Sequence, residues 1–221
     1  MDLDAFYAPG RVLLDLRPPN GPQQLVVSVA GFLGLMGVSR PGLSVNVNAL
    51  LSLRRSASGV PVAFVVRRLL TQPGLRAAQA LLSKLPHASG QNYVIADHDD
   101  LFDGEASAGG VSEWARGAST LAHTNHPLIS TDLFSPDHAE PSGNSLDRMG
   151  FASARLEGAA TLAELEAILA DRETPVCHVG SVPAGVDTFA GMSVEMSAPP
   201  RVRIAPGPPA VVGFNDVEWD S

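Results

Sequence analysis

Apolar residues in this chain recur with two different periods, and the switches between them divide it into elements. Val and Leu dominate residues 11–16 and 24–30, and Pro18, Pro19, Asn20, Gly21 and Pro22 lie between. Branched runs punctuated in this way predict two strands joined by a turn. Residues 42–50 (GLSVNVNAL) alternate, with Val45 and Val47 on one face and Ser44, Asn46 and Asn48 on the other, which is the period of a half-buried strand. The spacing then lengthens. Residues 60–70 carry Pro61 in a first helical turn, where proline is tolerated, and residues 75–85 place Leu75, Ala78, Leu81, Leu82 and Leu85 at helical intervals. Pro73–Gly74 separates the two, so they predict a helical hairpin. Residues 93–96 read as a strand and 97–104 as an acidic turn. A second helical pair is predicted over 145–160 and 162–169, with Thr161 and Glu164 forming a capping box at the start of its second member. Strand-like pieces return at 175–178, 188–196, 201–205 and 211–214.

Strands, a helix pair, strands, a helix pair and strands again predict a layered α+β domain rather than regular βαβ alternation. A four-layer αββα sandwich accommodates this order, and 221 residues suffice for one such domain spanning 1–221. With 45% hydrophobic and 17% charged residues the composition is that of a globular chain. A formal net charge of -8 and the lack of any Lys/Arg run argue against nucleic acid or an anionic membrane surface as partner. Apolar stretches such as 60–66 are too short to span a bilayer. The single cysteine, Cys177, forbids an intrachain disulfide, and no basic then apolar leader follows Met1, so a reducing, cytoplasmic setting is expected.

Several segments carry a resemblance. MDLDAFY, PGLSVNVNALLS, GVPVAFVVRRLL, HASGQNYVIADHD, HTNHPL, GNSLDRM, TPVCHV and IAPGPP occur in this order, and together they resemble the acyl-coenzyme A:6-aminopenicillanic-acid acyltransferase family. The resemblance covers nearly the whole chain, with HTNHPL its most specific piece. It implies the αββα fold of N-terminal-nucleophile hydrolases and chemistry on a linear amide or thioester through an acyl-cysteine. A thiolate attacks, a free α-amino group serves as local base, and a donor holds the oxyanion. By resemblance Asn125 is the oxyanion donor, and Asp2 orients the charged N-terminal centre. Asn46, Asn48, His123 and His126 are candidates for contacting substrate, a small acylated amide or thioester. The family's nucleophile has no counterpart here: it falls upstream of Asp2, and Cys177 matches a different position. His178 stands where the fungal acyltransferase carries an arginine. The implied protein is a C-terminal part of such an enzyme, inactive by itself; the alternative is a non-catalytic remnant of that fold acting as a binding or interaction protein. Loss of a central strand from the sandwich predicts poor solubility or a homo-oligomer.

Plainer readings stand beside these. Asn125 suits a turn next to Pro127. Asn46 and Asn48 suit a solvated or cross-strand face. His123, His126 and Asp97 are too few and too loosely spaced to predict a metal, and no cofactor is expected. Ser145, Asp147 and His138 lack the G-x-S-x-G elbow of a hydrolase triad. The glycine-rich stretches 31–37 and 104–110 lack a phosphate-loop Lys-Ser/Thr ending. Arg148 is expected to anchor a helix through an ion pair.

Overall fold

The computed structural model describes residues 1–116, 118–135, 144–159, 161–180 and 185–220. In chain order the strands are β1 (Asp2–Asp4), β2 (Arg11–Leu16), β3 (Gln24–Val29), β4 (Met36–Ser39), β5 (Leu43–Ala49), β6 (Gln91–Ala96), β7 (Leu101–Ser107), β8 (Gly110–Arg116), β9 (Val186–Thr188), β10 (Gly191–Glu195), β11 (Arg201–Ala205) and β12 (Asn215–Val217). The helices are α1 (Val62–Leu69), α2 (Leu75–Leu82), α3 (Ser145–Leu156), α4 (Leu162–Leu169) and α5 (Pro209–Val212).

Strands β2 to β8 form one antiparallel seven-stranded sheet in sequence order, β10, β11 and β12 form a second sheet, and β1 pairs with β9. The large sheet is covered on both faces. On β3 all six residues of QLVVSV are buried. Val26 turns toward the α1–α2 layer and packs with Val45, Val65, Val66, Leu69 and Tyr93. Leu25, Val27 and Val29 turn the other way, with Met36 and Val38, onto Phe189, Val202 and Ile204 of the second sheet's layer. Each such buried side chain contributes about 1.5–3 kcal/mol relative to exposure. On the outer side of the second sheet, α4 lies against β10, where Ser193 Oγ donates to Glu166 Oε1 over 2.5 Å, and α3 packs on α4. The layers run helices, sheet, sheet, helices, as expected.

Packing is close at Gly37 of β4. A Cβ there would lie 2.7 Å from the Leu25 carbonyl oxygen and 2.9 Å from Leu70 Cδ1, so the strand cannot take a larger residue without shifting the β3 backbone and the Leu70 side chain.

Several boundaries differ from expectation, each for a local reason. The acidic turn ends at Asp100, and Leu101 already begins β7, whose Asp103 and Glu105 are fully buried inside a strand. The stretch expected as one strand over 188–196 is two. Phe189 N–H donates to the Met1 carbonyl over 2.8 Å between β9 and β10 and shifts the chain from one partner to the next. Residues 175–178 form no strand. Residues 211–214 begin inside α5, which has Pro209 at its start, where the missing N–H costs nothing. Strands β4 and β8 join the sheet without an alternation that foretold them. Ala160, within the expected span of α3, and His138 lie outside the described residues.

Candidate active site

The HTNH segment enters from β8 and is held against β7 by one buried carboxylate. Glu105 Oε1 accepts from His123 Nε2 over 3.1 Å and from Leu128 N–H, while Oε2 accepts from Ile129 N–H (3.3 Å) and Ser130 N–H (2.7 Å). Burial alone would raise Glu105, but the His123 bond and the backbone donors outweigh it and hold the carboxyl below its ordinary value. The other ring nitrogen of His123, Nδ1, donates to the Thr124 carbonyl over 2.9 Å, so both nitrogens face acceptors.

Asn48 Nδ2 donates to the His123 carbonyl over 3.0 Å and lies 3.4 Å from Asn92 Oδ1. Asn92 Nδ2 in turn donates to Asp103 Oδ1. Asp103 has no water contact, and its Oδ2 has no partner among the described residues. Burial pushes its carboxyl up to about 6, with Glu105 adding to the rise and His123 and Asn92 opposing it.

Asn125 is fixed from three sides. Its backbone N–H donates to Ser145 Oγ (2.8 Å), its Oδ1 accepts from Arg148 Nη2 (2.8 Å), and its Nδ2 donates to the Ala49 carbonyl (3.1 Å). A guanidinium only donates and a carbonyl only accepts, so these two partners decide which end of the amide is nitrogen. One of the two amide N–H groups is spent on Ala49. The other has no partner among the described residues, and Asn125 lines a cavity. Arg148 makes no ion pair among the described residues, contrary to expectation. Its Nε donates to Asn144 Oδ1 over 2.8 Å, one helical turn earlier, and Asn144 Nδ2 donates to His178 Nε2 over 3.0 Å.

That cavity, of about 420 Å³, brings together Asp2, Asn46, Asn48, His123 and Asn125 with Arg148 and Gln91. Its remaining walls are mostly apolar, among them Leu35, Met36, Val62, Leu169 and Met192. Asp2 is steadied by Thr188, whose Oγ1 donates to Asp2 Oδ1 (2.8 Å) and accepts from His178 N–H (2.9 Å). His126 is not on the lining. It sits behind the wall, with Nδ1 at 2.9 Å from Ser145 Oγ and 3.2 Å from Thr124 Oγ1, and burial followed by the charge of His123 lowers its basicity. Cys177 is buried and also off the lining, although its neighbour Val176 is on it. Asp97 is elsewhere, accepting from Leu75 N–H (2.8 Å) at the start of α2, and among the described residues no three His, Cys, Asp or Glu side chains are grouped to hold a metal. Sequence reasoning missed the clamping role of Arg148. Its spacing of four from Asn144 was the available signal, since residues so spaced share a helix face.

Residues 14–206 match the model of the family described as acyl-coenzyme A:6-aminopenicillanic acid acyl-transferase. The chain belongs to that family. Its fold is that of the N-terminal-nucleophile hydrolases. Among solved structures it is similar to the Caenorhabditis elegans N-acylethanolamine-hydrolyzing acid amidase ortholog, with a TM-score of 0.56 at 15% identity over 80% of each chain. It is similar also to penicillin V acylase from Agrobacterium tumefaciens, with a TM-score of 0.56 at 15% identity over 90% of this chain and 70% of that one. A shorter likeness, 39% identical over 84 residues, is to 3-methyl-2-oxobutanoate hydroxymethyltransferase 2 of Pseudomonas entomophila (strain L48), covering 35% of this chain and 32% of that protein. The chain spans about a third of the length of the curated relatives it matches. Among the described residues no helix is long and apolar enough to cross a membrane.

Proposed function

We propose that this cavity belongs to an amidohydrolase or acyltransferase acting on small acylated substrates, with the scissile carbonyl oxygen lodged at the free amide N–H of Asn125. One observation carries the reading: the Asn125 amide is locked by Arg148 and Ala49, one of its N–H groups has no partner among the described residues, and the residue lines the cavity. A donor fixed before the reaction stabilises charge that develops on the carbonyl oxygen without reorganising, which is where such sites gain most of their rate. A thiolate adds to the carbonyl carbon, the amine departs with a proton, and the acyl-sulfur bond is opened by water for hydrolysis or by a second amine for transfer. Asp2, held by Thr188, steadies the positive centre beside the attacking sulfur, and Asn46, Asn48 and His123 line the approach. Likeness to an N-acylethanolamine-hydrolyzing acid amidase ortholog and to a penicillin V acylase supports a linear acyl-amide as the substrate class.

Cys177 is the chain's one cysteine and lies off the lining, so the 221 residues by themselves are inactive in this reading. The test assays this chain, and any longer product of the same reading frame, on a panel of N-acyl amides. Thiol-dependent turnover in the longer product, abolished by Asn125→Ala and unaffected by Cys177→Ser, is the expected result. Turnover by the 221-residue chain that vanishes in Cys177→Ser overturns the assignment. Binding without turnover in the longer product favours a non-catalytic role for the same fold.

A further inference from the structure

Strand β5 outruns its neighbour. Its register with β4 covers Leu43, Ser44 and Val45, whereas on its other side it pairs with β6 as far as Ala49. Successive residues of an antiparallel strand direct their main-chain groups to alternate edges. Leu50 N–H donates to the Gly90 carbonyl over 3.0 Å, on the β6 side. Asn48 and Asn46 therefore bond toward β6, and Ala49, Val47 and Val45 toward the edge that β4 has left. On that edge Val45 meets Gly37, and the Ala49 carbonyl is taken by Asn125 Nδ2. Leu35, which could have continued the ladder, donates its N–H to the Val27 carbonyl on the far side over 3.1 Å. The N–H and C=O of Val47 are left with no partner among the described residues, and Val47 lines the cavity.

We propose that Val47 pairs with an aminoacyl residue of the substrate, so that the site takes acylated peptides or N-acylaminoacyl compounds rather than simple acyl amines. This rests on the reading of Asn125 given above. The N–H and C=O of one residue on a strand edge are matched by one aminoacyl residue of the partner, whose own N–H and C=O flank its Cα and face the same way, whereas the N–H and C=O of a single trans amide face opposite ways. A lone hydroxyl or carbonyl fills one and leaves the other unpaired. Two residues along a strand span about 7 Å. The substrate therefore carries the residue that pairs with Val47, with its second amide N–H, about that far from the carbonyl held at Asn125. Leu35, Met36 and Met192 line the same cavity and receive the apolar side chain between the two groups.

Binding to the 221-residue chain, which needs no nucleophile, tests this. The probes are an N-acyl dipeptide amide, its analogue N-methylated at the second amide, the corresponding ester, and a simple N-acyl amine of equal apolar size. Each is titrated calorimetrically and against the Val47 amide resonance. The expected result is tightest binding by the dipeptide, about tenfold or more weakening in both the N-methyl and ester analogues, and a downfield shift of the Val47 amide proton with the parent alone. Equal affinities, or an unmoved Val47 resonance, overturn the pairing while leaving acyl-amide recognition intact. Failure of every probe to bind a folded chain overturns both.

Discussion

At the scale of single residues the cavity is built from groups that hold one another rather than from isolated catalytic side chains. Asn125 needs Arg148 for its orientation, Arg148 needs Asn144, and His123 needs Glu105 and Asn48. On the proposed function, Asn125→Ala is expected to lower kcat by about 10²–10³ wherever turnover is measured, as loss of one oxyanion donor does elsewhere, with little change in KM. Arg148→Ala lowers it less, because the Ala49 carbonyl still holds the nitrogen end of the amide. Steady-state kinetics on a single acyl amide separate the two. Asp103 gives a prediction in pH. Its folded pKa, about 6, lies above the 3.8 of an ordinary aspartate, so the native state holds the extra proton between these values and stability falls as pH rises through them. The stabilisation is complete below the lower value and lost above the higher one. Asp103→Asn removes the ionisation, and should leave the unfolding free energy nearly unchanged at about pH 4 and raise it above about pH 7, by as much as about 3 kcal/mol, read from denaturant melts at the two pH values. An equal difference at both pH values would refute the assignment. Arg148 and Asp103 also mark where residue-level reading of the sequence stopped. An arginine on a helix face suggests an ion pair; the spacing to Asn144 hints at one amide oxygen as its partner, but nothing in a string of letters brings it to that of Asn125, 23 residues away.

Among the elements, those bounded by strong local chemistry were legible. The hairpin of β2 and β3, the α1–α2 pair and the capping box of α4, where Thr161 accepts from Glu164 N–H, follow from turn residues and apolar period alone. Strand β7 was not, and the reason is physical. Its inward positions hold Asp103 and Glu105, so the alternation that announces a half-buried strand is reversed by the polar network that anchors the site. The features that hid β7 are the ones that make it matter. Glu105 joins β7 to both ends of the segment from His123 to Ser130, and Glu105→Ala would strand three backbone N–H groups and the His123 ring nitrogen. Each unsatisfied buried group costs about 1–3 kcal/mol, so the loss should reach several kcal/mol. Amide exchange at Leu128–Ser130 should accelerate before the rest of the sheet loosens. Glu105→Gln, which keeps one acceptor, should lose much less. Because its carboxyl is held below the ordinary value, Glu105 stabilises above that value and the contribution is lost as pH falls. Uniform exchange across β7 and the loop in Glu105→Ala would show that the carboxylate is not the anchor.

For the whole molecule, four layers place the cavity where the end of β5, the segment at Asn125 and the second sheet meet, so the site depends on packing between the sheets as much as on any loop. The same construction leaves open edges. Strand β10 is terminal in the second sheet and contributes Gly191 and Met192 to the cavity wall. Phe6, Leu51 and Phe134 are 80%, 64% and 57% exposed. Unpaired strand edges beside apolar side chains are templates for pairing with another chain. The net charge of -8 opposes that contact, and salt screens the repulsion between copies over a Debye length of about 10 Å at 0.1 M. The 221-residue chain is therefore expected to associate, and to do so more strongly as ionic strength rises, since apolar and main-chain contacts survive screening while repulsion does not. Sedimentation equilibrium across concentration and salt checks both parts. Association that weakens with salt would point to charge pairing between copies instead. A mass that stays at 23.0 kDa throughout, with a single cooperative melt, would mean that the β10 edge is adequately covered and that the exposed aromatics are isolated rather than parts of an interface.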